Sequence, residues 1–74
     1  MEKLLEILHA SCPGIDFENE NALVDKELID SLDIVTIVSE IMGTFDVELS
    51  VEDITPENFN SAPAMMDLIQ QRLV

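Results

Sequence analysis

From Leu32 to Phe45 the chain runs without a proline, and eight of these residues, Leu32, Ile34, Val35, Ile37, Val38, Ile41, Met42 and Phe45, are large and apolar. This run constrains the fold more than any other feature. Its β-branched density favours a strand, but a half-buried strand would alternate apolar and polar side chains. Here positions 34, 38, 41 and 45 share one face at helical spacing. Asp30 or Ser31 can cap the first turn, and Asp33 adds negative charge near the positive end of the helix dipole. The segment therefore reads as a helix. Gly43 weakens its last turn by about 1 kcal/mol relative to alanine, or marks where the helix stops.

A helix this apolar needs partners to cover it, and the remaining sequence supplies them. From Glu2 to Ala10, Leu4, Leu5, Ile7 and Leu8 recur at helical spacing between charged residues, the mark of a helix with one buried stripe. Pro13 and Gly14 stop it. From Ile15 to Ile29 the apolar residues are irregularly spaced, as in a long loop that covers a core or performs a function. Beyond Phe45, Ser50-Val51-Glu52-Asp53 resembles a capping box, and Thr55-Pro56-Glu57 places a cap before a proline at a first helical position. One or two short turns fit there. Ser61 can cap a last helix with Pro63 in its first turn, an apolar face of Ala62, Met65, Met66, Ile69 and Leu73, and Gln70, Gln71 and Arg72 in solvent. The expectation is an all-α bundle of three main helices plus one short helix, with a long loop between the first two, forming a single domain over residues 1–74. At 74 residues only about 60% of the unfolded surface is buried, which leaves no room for a large internal active site.

Charge narrows the partners. Sixteen acidic residues face three basic ones, for a net charge of -13, yet 47% of residues are hydrophobic, too many for a disordered acidic tail. Such a surface repels phosphate backbones and anionic headgroups and attracts positively charged proteins. The sequence predicts no nucleic-acid partner and no membrane association, since no apolar run approaches the roughly 20 residues of a span and the start lacks a signal peptide's basic flank. A cytoplasmic monomer is expected. Cys12 is the only cysteine, so no intramolecular disulfide can form.

Side chains for catalysis are sparse. His9 is the only histidine, nothing ties it to a particular serine, and there is no glycine-rich phosphate loop. His9 reads as a surface or helix-end residue and Cys12 as a buried small apolar side chain. No enzymatic activity is expected. Asp16, Glu18, Glu20 and Glu27 fall on positions one, three, five and twelve of a calcium loop. However, Asn21 stands where glycine makes the sharp turn, and Pro13-Gly14 interrupts the incoming helix. The loop reads as acidic and solvated, with no metal site.

Leu28-Ile29-Asp30-Ser31-Leu32-Asp33 is more informative. It places a serine at a helix start, directly after a loop and between two carboxylates, where first-turn amides favour an approaching phosphate. On local chemistry alone, the reading of Ser31 or Asp30 as only a helix cap is the favoured one. The segment Asp30-Ser31-Leu32-Asp33, in a small acidic helical chain, resembles the Asp-Ser-Leu motif of acyl and peptidyl carrier proteins. The likeness extends through the helix order, the long loop, Phe45-Asp46-Val47-Glu48-Leu49 and a last helix from about Ser61. It implies that Ser31 is esterified to 4'-phosphopantetheine from coenzyme A by a phosphopantetheinyl transferase. The arm would carry acyl or aminoacyl groups as thioesters between a loading ligase or transferase and downstream synthase enzymes. By the same resemblance Asp30, Leu32 and Asp33 lie beside the attachment site, the acids meeting basic partner residues and Leu32 offering an apolar contact. They can also merely cap and pack the helix.

The second helix departs from housekeeping fatty-acid carriers, which usually have an acid where Thr36 stands and an acidic cluster where Met42-Gly43-Thr44 stands. Leu28-Ile29-Asp30-Ser31-Leu32 and Asn58-Phe59-Asn60-Ser61 look more like free-standing carriers related to D-alanyl carrier proteins or to nonribosomal peptide and polyketide systems. For an acyl cargo, the apolar stripes of helices two to four, including Val38, Ile41, Phe59 and Met66, would part to shelter it; the reading favoured residue by residue is that they are simply core. The alternative from a different class is an unmodified acidic adaptor or nucleic-acid mimic that binds a basic partner and tolerates Ser31→Ala.

Overall fold

The cap ahead of the long apolar run is built in both directions. The structure, a computed structural model, describes residues 1–73, so only Val74 of the expected domain lies outside the described residues. Asp30 takes an extended backbone, its Oδ1 accepts the Asp33 amide at 2.9 Å, and its own amide donates to Asp33 Oδ2 at 3.1 Å. Helix α2 accordingly spans Ser31–Phe45. Ile37, Val38 and Ile41 are buried along it, with Ile34, Met42 and Phe45 packed against the core. Gly43 does not end the helix. The stop comes at Asp46, which turns left-handed with φ 56°, a conformation that short polar side chains tolerate best after glycine.

Helix α1 covers Glu2–Ser11, one residue past the expected end, and the Cys12 amide closes it on the Leu8 carbonyl at 2.8 Å. Leu4, Ile7 and Leu8 are buried and Leu5 sits at the edge of the stripe. Gly14, with φ 93°, then redirects the chain into the long loop. That loop is a lid on the core, because Phe17, Leu23 and Ile29 are buried while Leu28 is not. A 3-10 turn at Val51–Asp53 precedes the short helix α3, Pro56–Phe59, whose first turn is capped by Thr55 Oγ1 accepting the Asn58 amide at 3.3 Å. In α4, Ala62–Arg72, Ser61 Oγ accepts the Ala64 amide at 3.1 Å.

Two expectations for α4 are corrected. Its buried face is Ala62, Met65, Leu68 and Ile69, whereas Leu73 is exposed. Leu73 falls just past the last helical residue, where the stripe no longer continues. Arg72 is not simply a solvent residue, since its guanidinium pairs with the Asp53 carboxylate. The same carboxylate accepts the Ser50 amide at 3.0 Å and the Ser50 hydroxyl at 3.3 Å, so it ties the end of α4 to the 3-10 turn. The result is an all-α fold of three main helices and one short one, with α1 packed on α2 and α4, and α3 packed on α4.

Candidate functional site

Ser31 is the first residue of α2 and is exposed. The choice between Ser31 and Asp30 as the cap falls to Asp30, so the Ser31 hydroxyl is not used in capping. Exposed apolar side chains flank it in the sequence, beside the exposed Asp30. Leu32 is 76% exposed, Val35 59% and Leu28 41%, and no basic residue lies on α2. Of the three cations in the chain, Lys26 pairs with Glu20 at 3.3 Å, Arg72 pairs with Asp53, and Lys3 lies on α1. Asp30 and Asp33 each serve the other as cap, and Asp33 is half-buried. Their structural duty is therefore plain. Leu32 has no comparable inward role.

The thiol of Cys12 lies buried close to the same helix start. Burial first, then the charge and hydrogen bonding of Asp33 and the charge of Asp30, push its pKa up. That keeps it a protonated, unreactive thiol. His9 stands in the last turn of α1 with its ring edge-on to Phe17, centroids 5.4 Å apart, and its Nε2 3.7 Å from Glu18 Oε1. It is a helix-end residue in contact with the loop lid. In the acidic loop, Asp16 Oδ2 accepts Asn19 Nδ2 at 2.9 Å, and Glu20 Oε1 accepts the Asn21 and Ala22 amides at 3.1 and 3.2 Å. Burial pushes the Glu20 carboxyl up, but Lys26 and these two amides outweigh it and hold the group below its usual range. Among the described residues, no three His, Cys, Asp or Glu side chains come together to hold a metal ion.

Two grooves among the described residues are lined without Ser31 or any other residue of α2. One, about 560 Å³, is lined by Glu2, Leu5, Glu6, His9 and Glu18, and the other, about 110 Å³, by Met1, Leu5, Phe17, Glu18, Ala62 and Pro63. Neither reaches Val38, Ile41, Phe59 or Met66, the first three of which are buried. Among the described residues, no helix is long and apolar enough to cross a membrane.

One residue that positions the site was not foreseen. Asn60, at the junction of α3 and α4, accepts the Leu23 amide on its carbonyl at 2.9 Å, and its Oδ1 accepts the Val24 and Asp25 amides at 3.0 and 3.1 Å. Its Nδ2 donates to Asp25 Oδ2 at 3.2 Å. The Leu23 carbonyl in turn accepts the Leu28 and Ile29 amides. Asn60 thus holds the loop that leads directly into Asp30 and Ser31. An asparagine between two capped helices is the available signal, because its side chain can mimic a backbone turn. Comparison of the chain with protein-family models, with curated proteins and with solved structures found no match.

Proposed function

We propose that this chain is a carrier protein whose Ser31 hydroxyl bears a 4'-phosphopantetheine arm. The observation that carries the reading is an exposed serine at the first position of a capped helix, with its capping duty taken by Asp30 and an exposed apolar surface, Leu32 and Val35, beside it. A phosphoester forms at Ser31 Oγ as the pyrophosphate of coenzyme A is broken by a phosphopantetheinyl transferase, with loss of the serine proton and departure of the adenosine nucleotide. The arm supplies a thiol that holds acyl or aminoacyl groups as thioesters. The chain itself catalyses nothing. The Asp30–Asp33 box fixes the turn that presents Ser31, and Leu32 and Val35 give partner enzymes an apolar footing.

The nearby carboxylates do not forbid a phosphodiester at Ser31. Two unit charges about 6 Å apart in water repel by about 0.7 kcal/mol, close to thermal energy and further screened by salt. The high negative charge suits fast, salt-sensitive encounters with basic loading ligases, transferases and synthases. Because Val38, Ile41 and Phe59 are buried, a long acyl cargo needs the helices to part, whereas an aminoacyl group does not. Intact mass after incubation with coenzyme A and a broad-specificity phosphopantetheinyl transferase tests the proposal. One added phosphopantetheine on the wild type and none on Ser31→Ala is expected. No addition to a folded wild type would overturn it in favour of an unmodified acidic adaptor.

A further inference from the structure

The larger groove is built by α1 and the loop lid alone. It is lined by half-buried Leu5, by His9 and by the exposed Glu2, Glu6 and Glu18, the last with its Oε1 3.7 Å from His9 Nε2. Two of the chain's three cations are committed elsewhere, Lys26 to Glu20 and Arg72 to Asp53, and Lys3 does not line the groove. No residue of α2 contributes to it, so an occupant leaves Ser31 free. We infer that this groove is a second docking surface, for an arginine-bearing segment of a partner protein. An arginine lays its aliphatic stem along Leu5 and sets its guanidinium among the three carboxylates, where its planar fork matches carboxylate geometry better than a compact ammonium does. The inference does not depend on modification of Ser31.

The test is an amide-resolved NMR titration of the full chain with tetra-arginine, repeated with spermine as a cation of similar charge. Expected are the largest shifts around Glu2, Leu5, Glu6, His9 and Glu18, with tetra-arginine binding tighter than spermine. Glu6→Gln combined with Glu18→Gln should weaken tetra-arginine binding about fivefold, as loss of two ion pairs predicts. Glu48→Gln combined with Glu57→Gln, which removes the same charge from exposed positions outside the groove, should weaken it less than twofold. Ser31→Ala should bind as the wild type does, which separates this surface from the carrier reading. Equal weakening by the two double variants, shifts centred on α2, or equal affinity for spermine would overturn the inference.

Discussion

Replacing Asn60 by alanine removes a tether and leaves the Asn60 carbonyl in place to accept the Leu23 amide. What is lost is the Oδ1 acceptor shared by the Val24 and Asp25 amides and the Nδ2 donor to Asp25. Val24 is half-buried, so its orphaned amide costs about 1 to 1.5 kcal/mol, while the exposed Asp25 amide can turn to water at about 0.5 kcal/mol. The exposed side-chain bond to Asp25 contributes little. The sum is about 1.5 to 2 kcal/mol, against about 4 to 11 kcal/mol for a domain of this size. Thermal unfolding followed by circular dichroism should show a fall in Tm of about 10 °C. Amide hydrogen exchange should quicken first at Leu23, Leu28 and Ile29, the residues that link the tether to the start of α2. Asn60→Asp keeps the acceptor but faces Asp25, so it should fall between wild type and alanine. An unchanged Tm together with unchanged exchange at residues 23–29 would refute the claim that Asn60 holds the lid.

Gly43→Ala should raise stability by about 1 kcal/mol, and Tm by about 5 °C, because Gly43 is inside α2 and an added methyl meets nothing within 4 Å; a lower Tm on heating would contradict this. Arg72, followed by the Ser50 amide, holds the Asp53 carboxyl below its ordinary pKa, so the stability it contributes is present above the usual aspartate range and is lost as pH falls through the lowered native value. The Tm gap between wild type and Arg72→Ala should therefore be widest near neutrality and close on acidification; a gap that widens in acid would have the wrong sign. Asp33→Lys removes the acceptor for the Asp30 amide and sets a positive charge at the positive end of α2, so it should lower stability by about 1 kcal/mol. Asp33→Asn keeps an acceptor and loses only charge, so a transferase rate unchanged in Asp33→Asn would make Asp33 a cap and not a docking residue.

Helix starts were legible because caps are local. Asp30 and Asp33, Thr55 before Pro56, and Ser61 before Ala62 carry their partners within three residues, and each helix begins where those residues predict. Helix ends were less so. The stop at Asp46 is a left-handed aspartate with no glycine to announce it, and Gly43, the residue that invited a stop, is carried through by the packing of Ile41, Met42 and Phe45. The long-range polar ties were not legible at all. Asn60 reaches across 35 and 36 residues to Asp25 and Val24, and Arg72 across 19 to Asp53, separations at which no periodicity operates. At the site, the sequence left the cap open between Asp30 and Ser31. The local capping box resolves it, each aspartate side chain accepting the other residue's backbone amide.

On the proposed carrier function, Ser31 and no other hydroxyl takes the arm. The chain has five serines and three threonines, several of them exposed. Tandem mass spectrometry of the chain after incubation with coenzyme A and a phosphopantetheinyl transferase locates the added group among these eight. A single phosphopantetheine is expected, present on the N-terminal fragment that ends at Ser31 and absent from the one that ends at Asp30. The same group on Ser39 or any other hydroxyl, or an unmodified but folded chain, would contradict it.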